Sequence, residues 1–185
     1  MTNDKNRVCP VEAASSLDTW FRRWGQNPRK ILKPYIKTGM TTIDMGCGPG
    51  FFTLELANMV GNSGKVFAVD LQQGMLDKVQ NKIIGTKMEH RITLHKCEAD
   101  KIGITEDVDF VLAFYVLHEL PEQKDFFKEI SGIMKPNAQM LVVEPSFHVS
   151  KSEFKEMVKI AGDFGLQNVK VSGMLLSKVA LFKKD

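Results

Sequence analysis

A chain of 185 residues, 43% hydrophobic and 25% charged, is large enough for one compact domain with a sizeable buried core and too short for two full ones. Its formal charge of +3 falls well below the basic excess that a sequence-independent phosphate-binding surface carries, so no nucleic-acid partner follows from it. Cys9, Cys47 and Cys97 are odd in number and lack paired spacing, which argues against a disulfide framework or a C-x-x-C zinc site and for a reducing interior. The polar start from Met1 to Asn6 and the absence of any apolar run of membrane-spanning length add the expectation of a soluble, cytoplasmic protein.

In chain order, the first strong signal is Thr42-Ile43-Asp44-Met45-Gly46-Cys47-Gly48-Pro49-Gly50-Phe51-Phe52, a strand, a tight turn and a helix start. Glycine has no Cβ and tolerates positive φ, so such a turn bends sharply and lets a ligand lie against the backbone. The dinucleotide fingerprint G-x-G-x-x-G is not met, because its last glycine would fall on Phe51 and the third glycine here is Gly50. Lys65 to Asp70 reads as a second strand, opened by the turn signal Gly61 to Gly64 and closed by a carboxylate about 20 residues past the loop, where a ribose diol would be bound.

Met75, Leu76, Val79 and Ile83 then recur at helical spacing between Gln72 and Ile84, with Gly85 to stop the helix. Arg91 to Ala99 is predicted as the third strand, and Val108 to Val116 as a fourth, buried on both faces. Pro121 opens a helix carrying Phe126, Phe127, Ile130 and Met134, which Lys135-Pro136-Asn137 ends before a fifth strand, Gln139 to Val143. This β-α-β-α rhythm calls for right-handed crossovers and a parallel sheet. A helix from Lys151 to about Phe164 precedes strands at Val169 to Val171 and Lys178 to Phe182. The gap between those last two is too short for a parallel crossover, so they must form a hairpin.

The segment Asp44 to Gly50 with Asp70 resembles the cofactor site of the class I S-adenosylmethionine-dependent methyltransferases, specifically the small-molecule branch that contains the ubiquinone and menaquinone methyltransferases. The likeness runs from roughly Lys30 to the C-terminus. It implies an α/β, Rossmann-like seven-stranded sheet of order 3-2-1-4-5-7-6, the last strand antiparallel, with helices on both faces. It also implies S-adenosylmethionine as cofactor and S-adenosylhomocysteine as product. By the same resemblance Gly46, Gly48 and Gly50, with Cys47 and Phe51, pack against the methionine portion, and Asp44 bonds its polar groups directly or through the loop. Asp70 accepts from both ribose hydroxyls, Leu71 lies against the adenine, and Asp100, with Ala99 supplying backbone, receives the adenine amino group. Phe114 and Tyr115 approach the cofactor's amino group and its sulfonium, which gains from an aromatic face. Plain structural alternatives stand beside these roles: helix capping for Asp44 and Asp70, a solvated loop acid for Asp100, and core packing for Phe114.

Methyl transfer from a sulfonium needs positioning more than a catalytic triad, and a general base helps only when the acceptor must lose a proton. The candidate catalytic residues are His118, Glu144 and Tyr115, with Glu119 and His148 nearby in the chain. For His118 the alternative is a structural histidine that caps or bridges the next helix. Catechol-type relatives hold magnesium with aspartates after strands 4 and 5, whereas this chain offers only Glu144 at the second position, so no metal ion is implied. The loop after strand 4 also lacks the Asn/Asp-Pro-Pro-aromatic run of the enzymes that methylate exocyclic amines of adenine or glutamine amides, which disfavours those substrates. Residues 1–29 form an N-terminal extension. Trp20 to Asn27 is proposed as a lid bringing Arg22 or Arg23 near an anionic group, the alternative being an amphipathic surface helix.

The resulting expectation is a single methyltransferase domain over residues 1–185 that methylates a small molecule by direct in-line displacement. The alternatives are a methyltransferase acting on RNA or protein through the basic, aromatic N-terminal segment, and a non-catalytic cofactor-binding subunit. A nicotinamide oxidoreductase is opposed by the glycine spacing and the terminal hairpin. The acceptor, the atom methylated and the oligomeric state are not written in these residues.

Overall fold

A computed structural model describes residues 27–169 and 173–185. The chain divides into two compact units, one within residues 9–97 and the other within residues 98–185. The proposed lid, Trp20 to Asn27, lies outside the described residues except for Asn27.

In the first unit, Asn27 caps a short helix α1 (Pro28–Leu32) by accepting the Lys30 N–H at 3.1 Å, and Pro28 stands at a first-turn position where no N–H is needed. Then follow β1 (Thr41–Met45), α2 (Thr53–Val60), β2 (Lys65–Asp70), α3 (Gln73–Ile83) and β3 (Ile92–Lys96). β2 pairs in parallel with β1 on one side and β3 on the other. Val66, Phe67, Ala68 and Val69 are all buried, as a strand covered on both faces requires. The apolar stripe of α3 is Met75, Leu76, Val79 and Ile83, each at most 2% exposed, the four residues that the helical spacing picks out.

The second unit contains β4 (Val108–Phe114), a single 3-10 turn (Leu117–Glu119), α4 (Gln123–Ile133), β5 (Met134–Pro145), α5 (Lys151–Asp163), β6 (Leu166–Val169) and β7 (Ser177–Lys184). β4 and β5 are parallel, whereas β7 runs antiparallel to both β5 and β6. The expected terminal hairpin is therefore present. On α4, Phe127 is fully buried and meets Phe126 at 5.3 Å and Phe182 of β7 at 6.1 Å, both edge-on. Ser150 and Glu153 form a reciprocal capping box that starts α5.

Several boundaries differ from expectation. Met134 opens β5 rather than closing the helix, and Lys135-Pro136-Asn137 lies inside the strand. The register explains how: Val108 faces Met134 but Phe110 already faces Gln139, so the intervening residues bulge out and the proline's missing N–H costs no ladder bond. Asn137, at φ 66, takes the left-handed conformation that the bulge needs. β3 is shorter than Arg91 to Ala99, and β4 ends at Phe114 instead of Val116 because Tyr115 turns the chain. β6 begins at Leu166, earlier than the predicted Val169 to Val171, and residues 170–172 lie outside the described set.

The strands make one seven-stranded mixed sheet, β3-β2-β1-β4-β5-β7-β6, the order the family resemblance implies. Among the described residues no helix is long and apolar enough to cross a membrane.

Candidate active site

β1 delivers the glycine turn. Gly46, Gly48 and Gly50 all have positive φ, of 67°, 53° and 89°. Their reasons differ. A Cβ on Gly50 would come within 3.1 Å of Val79 on α3, so this glycine permits close helix packing. A Cβ on Gly48 would meet nothing within 4 Å, so this turn is open on that side, as a backbone that a ligand approaches must be.

The turn is held by hydrogen bonds from several elements. Cys47 N–H donates to Val69 at 2.9 Å, Gly50 N–H to Cys47 at 3.0 Å, and Lys82 Nζ of α3 to the Pro49 carbonyl at 2.7 Å. Asp44, 2% exposed, accepts the Thr53 hydroxyl at 2.6 Å, which ties the end of β1 to the first residue of α2. Asp44 and Thr53 are nine residues apart in the chain, and the glycine turn folds back to bring them together. Burial, together with the charges of Asp44 and Asp70, pushes the Cys47 thiol well up, so it stays protonated.

Asp70 closes the arrangement from β2. Its Oδ2 accepts the Gly48 N–H and its Oδ1 the Gln72 N–H, each at 2.9 Å. The carboxylate thus clasps the glycine turn and also steadies the entry to α3, as the capping alternative expects. Burial pushes its carboxyl above the usual carboxylate range, against the N–H groups of Gln72, Gly48 and Leu71. An ionised carboxylate has about four lone-pair sites, so acceptor capacity remains for a diol. Beside it Leu71 is 37% exposed, a large apolar side chain available for contact.

The residues assigned to the second unit form their own set. Ala99 and Asp100 lie on an exposed bend. Phe114 is buried at the end of β4, and Tyr115 follows at φ 59°, a conformation that costs a non-glycine residue about 1–3 kcal/mol. Tyr115 N–H donates to Val143 at 2.8 Å, its ring lies 4.5 Å from that of Phe114, and its hydroxyl is 2.6 Å from Ser177 Oγ on β7.

Glu144 lies within β5, paired in register with Lys178, and is 1% exposed. Its Oε1 accepts the Leu117 N–H at 2.9 Å and its Oε2 lies 2.5 Å from His118 Nδ1. The His148 ring stacks on His118 at 5.6 Å and 11°. Burial pulls the His118 pKa down, but the hydrogen bond and charge of Glu144, with the charge of Glu119, outweigh it and hold the imidazolium above the ordinary histidine range. Sequence reasoning missed Thr53, Lys82 and Ser177, whose partners are 9, 33 and 62 residues away.

A left-handed glycine turn after β1, clasped by a buried acid at the end of β2, on a sheet of this strand order defines the S-adenosylmethionine-dependent methyltransferase architecture. A family model described as a methyltransferase domain matches residues 36–171, and the chain belongs to that family. S-adenosylmethionine is the cofactor of the family. Among relatives, the demethylmenaquinone methyltransferase of Lactobacillus johnsonii is 33% identical over 142 residues, covering 76% of this chain and 58% of that protein. Its counterpart in Staphylococcus saprophyticus is 28% identical, covering 71% of this chain and 56% of that one. The chain thus spans little more than half the length of these curated relatives. The solved structure of a SAM-dependent methyltransferase from Aquifex aeolicus superposes with a TM-score of 0.84 at 27% identity, over 95% of this chain and 98% of the other. A TehB-like SAM-dependent methyltransferase from Corynebacterium glutamicum shares the fold, with a TM-score of 0.72 at 17% identity over 95% and 100% of the two chains.

Proposed function

We propose that the protein transfers a methyl group from S-adenosylmethionine to a small-molecule acceptor by direct in-line displacement. The observation that carries this reading is the clasp of Gly48 by Asp70, with open space where a Gly48 side chain would stand. When bound, the sulfonium supplies an already activated methyl.

The chain's own residues bind and orient. Gly46, Gly48 and Gly50, with Cys47 and Phe51, offer a backbone concavity to the methionine portion, and Asp44 fixes that turn through Thr53. Asp70 uses the lone pairs left by Gly48 and Gln72 to accept from the ribose hydroxyls, and Leu71 offers an apolar surface to the adenine. The roles of Ala99, Asp100, Phe114 and Tyr115 rest on the family resemblance. Acceleration then comes chiefly from near-attack geometry and exclusion of water. The name shared by the relatives favours a quinol-type acceptor ring. Cys47 and Cys97 are buried thiols outside any disulfide, which suits a reducing, cytoplasmic setting.

Calorimetric titration with S-adenosylhomocysteine, paired with transfer of labelled methyl to reduced demethylmenaquinone, tests the reading. One-site binding with transfer is expected. Absence of S-adenosylhomocysteine binding would overturn it, and binding without transfer would remove the quinol acceptor only.

A further inference from the structure

Glu144 interrupts an apolar run. Met140, Leu141, Val142 and Val143 before it are at most 2% exposed, and Glu144 itself is 1% exposed. A carboxylate is kept in such a place only when its oxygens are used. Here Oε1 takes the Leu117 N–H, which fixes the turn that carries His118, and Oε2 takes His118 Nδ1.

Two consequences follow for the imidazole. Its Nδ1 serves as donor to the carboxylate, so the neutral ring keeps its proton there and presents Nε2 as a lone pair. The ring is also the outward member of the couple, with 24% of its side chain exposed against 1% for Glu144. Among the described residues, the groups facing it are Glu144 from β5, Glu119 from its own turn and the stacked His148 from the loop after β5. Lys178 of β7, the register partner of Glu144, spends its ammonium on the carbonyls of Val149 at 2.6 Å and Ser146 at 3.4 Å. The carboxylates therefore dominate the ring's electrostatics. They raise its basicity and stabilise the imidazolium formed on proton uptake.

We propose that His118 Nε2 is the general base of the reaction, with Glu144 as its positioning residue, and that the acceptor is a protic nucleophile. This rests on the methyltransferase reading above. The acceptor class is then a hydroxyl, a thiol, an amine bearing hydrogen or an activated ring carbon of a hydroxylated aromatic, and not a thioether or tertiary amine, which methylate without proton loss. In the balanced step the acceptor–carbon bond forms as the carbon–sulfur bond breaks, its electron pair passing to sulfur. The acceptor's proton moves to Nε2 and is released to solvent from the imidazolium.

The test uses the full chain, methyl-labelled cofactor and a small-molecule extract of cells as the acceptor pool, beside S-adenosylhomocysteine titration and nitrogen-15 NMR of histidine. Expected for His118→Asn is unchanged S-adenosylhomocysteine affinity with labelling slowed on the order of 10²–10⁴-fold. Imidazole in the buffer restores part of the rate to His118→Gly. The wild-type rate should rise with pH through the NMR-measured pKa of His118. Glu144→Gln shifts that limb to lower pH and lowers the plateau, which a merely structural glutamate would not do. NMR of the wild type alone must find the Nδ1–H form of neutral His118, whatever the fate of the variants. A labelling rate for His118→Asn within twofold of wild type, or the Nε2–H form, overturns the proposal while S-adenosylhomocysteine binding leaves the methyltransferase reading standing. Loss of that binding in the wild type overturns both.

Discussion

Replacing Asp70 by asparagine separates affinity from stability. The side chain keeps its shape, but one oxygen becomes an NH2 group, so either the Gly48 or the Gln72 N–H loses its acceptor and faces a donor. Losing a hydrogen bond to a charged group costs about 1.5–3 kcal/mol. Against this, the substitution removes a carboxylate whose burial already holds its pKa above the ordinary range, which relieves a desolvation cost at neutral pH. The two effects oppose, and the net change in folding stability should stay within about 1 kcal/mol. Binding has no such offset, because the ribose hydroxyls need acceptors at the same carboxylate. Loss of a charge-assisted bond worth about 1.5–3 kcal/mol weakens S-adenosylhomocysteine binding roughly 10- to 150-fold. Titration calorimetry on wild type and Asp70→Asn, with thermal unfolding as control, measures both. A folded Asp70→Asn protein binding within threefold of wild type would refute the role given to this carboxylate.

The two glycines should respond unequally. Gly48→Ala meets open space and pays only for its left-handed backbone, about 1–2 kcal/mol, whereas Gly50→Ala adds contact with Val79 at 3.1 Å and should lose about 1–3 kcal/mol more; a reversed order in urea unfolding contradicts the packing argument. Phe127→Ala empties a fully buried position between Phe126 and Phe182 and should cost about 3–5 kcal/mol by the same assay. The raised His118 pKa makes its contribution to stability complete below the ordinary histidine pKa and lost as pH rises through the raised value. The melting-temperature gap between wild type and His118→Asn should therefore be wider at pH 5.5 than at pH 9, and a gap independent of pH would count against the Glu144 pairing.

What could be read from the sequence was whatever a local pattern encodes. The α3 stripe of Met75, Leu76, Val79 and Ile83, the positive-φ glycines and the acid closing β2 each follow from spacing within a few residues of chain. The hairpin was legible for a related reason, since a short gap forbids a parallel crossover. The bulge in β5 was not. Lys135-Pro136-Asn137 carries every local mark of a loop, and only the register against β4 shows that the strand runs through it. Side-chain pairings were equally hidden. His118 and Glu144 were both legible as candidates, but their 2.5 Å contact spans 26 residues, and a residue type does not announce its partner across that distance. The glycine roles diverged for the same reason, because Val79 fills the space beside Gly50 and nothing fills that beside Gly48.

The most direct test of the central claim is the melting temperature with a saturating product analogue. At 100 times its dissociation constant, S-adenosylhomocysteine should add about 2.7 kcal/mol of stability, which for a chain of this size is a rise of roughly 5–11 °C. A nicotinamide dinucleotide at the same concentration should add none. Stabilisation by the dinucleotide and indifference to S-adenosylhomocysteine would contradict the account.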